Sequence, residues 1–98
     1  MKEKKIIKII RKMQISYDGK RYRDLSFICA NLVVFDYPHS ELWEIHIKLK
    51  SELPEGKMAD VMFVTEDNQR YKAKVFISAE DINNRVYVLQ KRNELLTF

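Results

Sequence analysis

Glycine, proline and cysteine are all scarce in this chain, at two, two and one among 98 residues. Two glycines exclude a glycine-rich phosphate cradle, and neither GxGxxG nor GxxxxGK followed by Ser or Thr occurs. A lone cysteine, Cys29, cannot form an internal disulfide, so a cytoplasmic location is expected. No apolar run approaches the roughly 18 residues of a membrane helix, so no membrane span is expected. The start, Met1-Lys2-Glu3-Lys4-Lys5, is positive but lacks the apolar stretch and small-residue cleavage site of a signal peptide. What remains is 46% hydrophobic and 33% charged, the profile of one folded domain with a single core.

The charge is unevenly spread. Residues 1–23 hold nine Lys/Arg against two acids, a balance of +7, and residues 24–98 hold nine against twelve, a balance of −3. Such asymmetry points to an anionic partner near the N-terminal segment, or to a solvated tail that keeps the chain soluble. Residues 1–12 read as a basic segment and 13–98 as the folded domain. Within the former, Ile6, Ile9, Ile10 and Met13 fit a short amphipathic helix, although isoleucine equally favours an extended lead-in.

Two stretches alternate with the period of a strand. Over residues 13–25 a two-residue turn at Asp18-Gly19 pairs Tyr17 with Lys20, Ile15 with Tyr22 and Met13 with Asp24. The opposite face then carries Lys12, Gln14, Ser16, Arg21 and Arg23. Over residues 61–77 a turn at Asp67-Asn68 pairs Val64 with Tyr71 and Met62 with Ala73. Phe63, Thr65, Arg70, Lys72 and Lys74 are left on the outer face. Residues 27–35 are an apolar run interrupted only by Asn31, expected of a strand buried on both sides. Residues 42–50 alternate cleanly, with Trp43, Ile45, Ile47 and Leu49 inward. Beyond Ile77 the pattern is divided. Ser78-Ala79-Glu80-Asp81 resembles a helix start, and Ile82, Val86, Leu89 and Leu96 share one helical face, whereas Val86-Tyr87-Val88 favours a strand. The expected fold is mainly β, a small antiparallel β-barrel of five or six strands with a C-terminal helix.

No catalytic constellation stands out, and no enzyme or cofactor is expected. Cys29 lies in an apolar strand, and His46 has no acid arranged to orient it as a base. Asp36, His39 and Glu41 share a polar loop, which is the ordinary setting for such residues and no metal site is assigned to them. On the second hairpin, an aromatic among cations (Phe63 with Arg70, Lys72 and Lys74) is a candidate surface for single-stranded nucleic acid, through stacking and phosphate neutralisation. The bland alternative packs Phe63 under a neighbouring element. Val61, Phe63 and Phe76 are the apolar candidates for a protein contact.

Asp24-Leu25-Ser26, opening the run that contains Cys29, resembles the start of the DxSxxG motif of the PilZ domain, a small bacterial β-barrel. The order that follows is similar over roughly residues 8–96: an apolar strand, a loop, an alternating strand, the Leu53-Pro54 turn, a hairpin ending Lys74-Val75-Phe76-Ile77 and an acidic helix start. The resemblance implies a ligand site for cyclic di-GMP, with Lys8, Arg11 and Lys12 on its phosphates and Asp24 and Ser26 on a base edge. Cys29 stands where the family has glycine, and lysines stand where it has the RxxxR arginines. Lysine lacks the planar fork that grips phosphate bidentately. These departures resemble family members that act through protein contacts, so the expected role is a non-catalytic regulatory or adaptor module. Direct cyclic di-GMP binding by the basic segment is the first alternative, and single-stranded nucleic-acid binding the second.

Overall fold

A computed structural model describes residues 4–37 and 40–98. Its strands are β1 (Lys4–Ser16), β2 (Arg23–Asp24), β3 (Phe27–Tyr37), β4 (Ser40–Leu49), β5 (Met58–Thr65), β6 (Arg70–Asp81), β7 (Val86–Lys91) and β8 (Leu96–Thr97). All pairings are antiparallel. Six strands close into a barrel in the order β1-β3-β4-β7-β6-β5, with β5 returning to β1. The short β2 and β8 add to β1 and β6. Alternation drives the closure, because every second residue must leave water. Met13 and Ile15, Ala30 and Leu32, Trp43 to Leu49 by twos, Val61 and Phe63, Val75 and Ile77, and Tyr87 and Leu89 fill one continuous core.

The N-terminal basic segment is not separate from the barrel. Residues 4–12 belong to β1, which runs unbroken across the expected 12/13 boundary, so the extended alternative holds for them and no helix forms there. β1 pairs with β3 through residues 4–9 and with β5 through residues 10–16, and a bulge at Arg11 bends it between the two.

Both hairpins differ from expectation by one residue of register. In the first, Gln14 pairs with Asp24 and Ile15 with Arg23. The two-residue turn does not form, because the Asp18 carboxylate accepts the backbone N–H groups of Lys20 and Arg21, at 2.8 and 2.9 Å. The Ser16 hydroxyl also donates to it, while accepting the Gly19 N–H. A side chain that captures local amides opens the connection into a loop over residues 17–22. Gly19 takes φ +75° there, and Tyr17 is exposed rather than inward. In the second hairpin the pairs are Val64–Arg70, Phe63–Tyr71 and Met62–Lys72. A three-residue loop replaces the expected two, with Asn68 at φ 63° and the Thr65 N–H donating to the Gln69 carbonyl. Tyr71 and Ala73 face inward as expected, but β5 is turned over: Phe63 and Thr65 point in, and Met62 and Val64 point out.

Among the described residues there is no helix, so the expected C-terminal helix is replaced by strands. Asn84 donates its backbone N–H and its side-chain amide to the Asp81 carboxylate, and Arg85 adopts φ 55°. Together they turn the chain back, and Val86-Tyr87-Val88 then follows its β preference beside β6 and β4. The residues that share a helical face do not share a core: Leu89 is buried, whereas Ile82 and Leu96 are exposed. β3 is also less buried than expected, since Ile28 and Cys29 are exposed around a second bulge.

Candidate functional site

β5 lies between β1 and β6, and β8 lies beyond β6. Directly paired residues share a face, so register alone assembles the outer surface here. One row runs Lys12, Val64, Arg70, and Phe98 extends it by donating its backbone N–H to the Arg70 carbonyl at 3.3 Å. The next row runs Asp24, Gln14, Met62, Lys72, Leu96. Neighbouring strands lie about 4.8 Å apart, which sets the Lys12 and Arg70 backbones roughly 10 Å apart across Val64.

The β1 bulge adds to this surface. Ile10 and Met13 are buried, and between them Arg11 and Lys12 both lie opposite Val64 and both are exposed. A regular strand would have sent one of two consecutive cations inward. The result is a groove of about 390 Å³ lined by Arg11, Lys12, Met62, Val64, Arg70 and Phe98 among others, with no acid in its lining. Met62 and Val64 are half-buried, and Phe98 is 62% exposed. The Arg11 guanidinium donates to the Asn68 side-chain oxygen at 2.9 Å. Lys12, Arg70 and Lys72 have no side-chain hydrogen bond or ion pair among the described residues. Unneutralised cations beside an apolar strip set up a local field that concentrates anions.

The residues expected to bind a cyclic dinucleotide are therefore split. Arg11 and Lys12 are in the groove. Asp24 stands at the end of the second row, where its carboxylate accepts the Gln14 amide at 3.1 Å. Ser26 is exposed, just past β2. Lys8 lies apart, because it pairs with Leu32 and so points to the inner side, at the barrel mouth. Its ammonium donates to the Asp67 carboxylate at 3.1 Å and to the Tyr71 hydroxyl at 3.2 Å. These bonds raise the Lys8 pKa, that to Tyr71 first. The Thr65 hydroxyl, and next Lys8, hold the Asp67 carboxyl at about 2.

The residues expected to bind nucleic acid divide in the same way. Arg70 and Lys72 join the same face as Lys12, and Lys74 follows in the next row opposite Asp60. Phe63 does not: it is 2% exposed and its ring stacks on Tyr71 inside the barrel, with centroids 5.2 Å apart. It can serve neither as a stacking platform nor as a protein contact, and Val61 is equally buried. Phe76 is half-buried under the Arg92 guanidinium.

The aromatic on the cationic face is Phe98, with Leu96 beside it, and sequence reasoning passed over both. Spacing alone had grouped Leu96 with a helix. Recognising Asn68 as a left-handed turn residue would have given the true β5 register, and with it Met62 and Val64.

Elsewhere, contrary to the expectation that no acid meets His46, its ring pairs with the Glu44 carboxylate at 2.7 Å on outer β4, and Cys29 is exposed. Among the described residues no three of His, Cys, Asp and Glu converge to hold a metal. His39 and the side chains of Asp36 and Glu41 lie outside the described residues. No described helix is long and apolar enough to cross a membrane. Comparison with protein-family models, with curated proteins and with solved structures finds no match to this chain.

Proposed function

We propose that this chain is a non-catalytic regulatory binding module of PilZ-like type, whose outer β1-β5-β6-β8 face holds a ligand carrying both phosphate and a flat ring. The observation that carries the reading is the placement of Lys12 and Arg70 on either side of Val64, without partners among the described residues, with Phe98 exposed beside Arg70. Arg70 offers a planar fork to phosphate oxygens, and Arg11 and Lys12 supply further charge. Val64, Met62 and the Phe98 ring offer an apolar bed for a base. Asp24-Leu25-Ser26 makes cyclic di-GMP the first ligand to try, with Asp24 reaching a base edge from the end of its row. Lys8 has no part in this version of the site, because Asp67 and Tyr71 already hold it.

A second ligand class has its own support. The cations continue from Lys12 and Arg70 to Lys72 and Lys74 in successive rows, a track suited to the backbone of a single strand. Titration calorimetry with cyclic di-GMP and anisotropy with a labelled twelve-residue oligothymidylate separate the two. Saturable binding to either, weakened about ten-fold or more by Arg70→Ala or Lys12→Ala, is the expected result. Absence of binding to both at high micromolar ligand and low salt, or binding indifferent to both changes, would remove the groove from consideration.

A further inference from the structure

β1 is only half enclosed by the barrel. Its residues 10–16 pair with β5, and the last link on that side is the Glu66 N–H donating to the Ile9 carbonyl at 2.9 Å. Residues 4–9 pair with β3 alone. In an antiparallel ladder each residue turns its N–H and C=O to one side, and successive residues alternate sides. The Ile9 carbonyl faces the β5 side, so the backbone groups of Lys5 and Ile7 face it too. No backbone group among the described residues meets them there. Ile7 and Ile9 flank this open edge on the outer surface, 57% and 51% exposed.

An uncovered edge with exposed β-branched residues is a template for another strand. Charge decides which strand. Residues 4–12 carry five cations and no acid, so a second copy of β1 would bring like charges into register. Lysine is also the usual guard of an edge against strands of its own kind. A carboxylate opposite Lys5 meets no such barrier, and one opposite Lys8 shares the ammonium with Asp67. Among the described residues Lys5 reaches only the Phe35 ring, 5.8 Å away, and the Lys8 ammonium keeps a third donor beyond Asp67 and Tyr71.

We propose that residues 5–9 of β1 form a strand-addition site for an extended acidic segment of a partner protein. The segment runs antiparallel to β1, with apolar residues opposite Ile7 and Ile9 and carboxylates opposite Lys5 and Lys8. Main-chain bonds to Lys5 and Ile7 give affinity, and the lysines select for acid. This site is on a different edge from the groove on β5 and stands or falls without it.

The probe is a blocked peptide containing Val-Glu-Val-Thr-Glu, with controls in which lysine replaces glutamate or alternate backbone nitrogens are methylated. Binding read by anisotropy, with amide exchange at Lys5 and Ile7 slowed about ten-fold or more, is the expected result. Both control peptides lose it. Ile7→Pro removes an N–H that faces away from β3, so the β1–β3 ladder keeps its bonds while peptide affinity falls about ten-fold or more. The methylated peptide asks the same question without altering the protein. Arg70→Ala, which disables the groove, leaves peptide binding unchanged. No binding, equal binding of the lysine peptide, indifference to methylation, or self-association in place of peptide binding would each overturn the proposal.

Discussion

The Lys8 ammonium and the Asp67 carboxylate meet at 3.1 Å across 59 residues of chain, tying the first strand to the turn between β5 and β6. The pair marks where the barrel closes, because the Glu66 N–H bonds to Ile9 at the same point and Arg11 reaches Asn68. β1 leaves β5 here and continues beside β3 alone, so one cluster of turn contacts separates the groove from the open edge.

This cluster should respond to acid before the barrel does. The Thr65 hydroxyl, the Lys8 ammonium and the Gln69 N–H hold the Asp67 carboxyl at about 2, below its ordinary 3.8. A carboxyl depressed by folding lends its full stability above the unfolded value and loses it as pH falls through the folded one. The turn is therefore expected to loosen between pH 4 and about 2. Protection of the Gln69 amide, its exchange rate taken relative to that of an unstructured amide at the same pH, should fall in that window, and Asp67→Asn should remove the pH dependence. Lys8 has the opposite sign: it stays charged throughout that window, and its own titration withdraws its contribution only at strongly alkaline pH.

Phe63 and Phe98 should separate stability from binding. Phe63 fills the core against Tyr71, so Phe63→Ala is expected to cost about 3–5 kcal/mol of unfolding free energy. Phe98 is exposed, and Phe98→Ala should leave stability within about 0.5 kcal/mol. If the groove takes a base, that same change should weaken binding by about 1–3 kcal/mol. Chemical denaturation and ligand titration on the two variants check both halves. Equal loss of binding and stability in Phe98→Ala would contradict the assignment.

The barrel was legible because period-two alternation of apolar residues is strong from Trp43 to Leu49 and from Ala73 to Ile77. The faces of the hairpins were less so. At Asp18 and Asp67, carboxylates bond to nearby amides and hydroxyls and lengthen the connections, which turns one strand over relative to the other. That single residue of slip moved Phe63 into the core and brought Met62 and Val64 to the surface. The cations were identified correctly as outward-facing on β6, but their meeting with Lys12 depends on β5 pairing with β1, a contact between residues some fifty positions apart. Such pairing leaves no local trace. The C-terminal strands were missed because Ser78 to Asp81 mimics a helix cap, and pairing of these residues with β7, itself held by β4, outweighed that local preference.

Electrostatics in the groove should appear as salt dependence. A single-stranded ligand that displaces counterions from two or three phosphates gives a slope of log affinity against log salt of about −1.5 to −2. Arg70→Ala or Lys12→Ala should each reduce the steepness by about one phosphate contact. Lys8→Ala should not, because Lys8 is engaged at the barrel mouth. A Lys8 variant that changed the slope as much as Arg70→Ala would place the ligand on the other side of β1.

The Tyr87 hydroxyl offers a test of the fold alone. Tyr87 is fully buried, and its hydroxyl accepts the backbone N–H of Leu53 at 3.1 Å. Leu53 is itself buried in the connection between β4 and β5, where strand pairing supplies no partner for its amide. Tyr87→Phe keeps the ring and removes only the acceptor. The Leu53 N–H is then stranded away from water, at a cost of about 1–3 kcal/mol. For a domain of this length, each kcal/mol lowers the melting temperature by about 4–8 °C. Tyr71→Phe makes the same chemical change at a half-buried site where Lys8 keeps Asp67 as a partner, so its cost should be smaller. Thermal unfolding of the two variants side by side checks the order, and accelerated exchange of the Leu53 amide in Tyr87→Phe alone identifies the bond responsible.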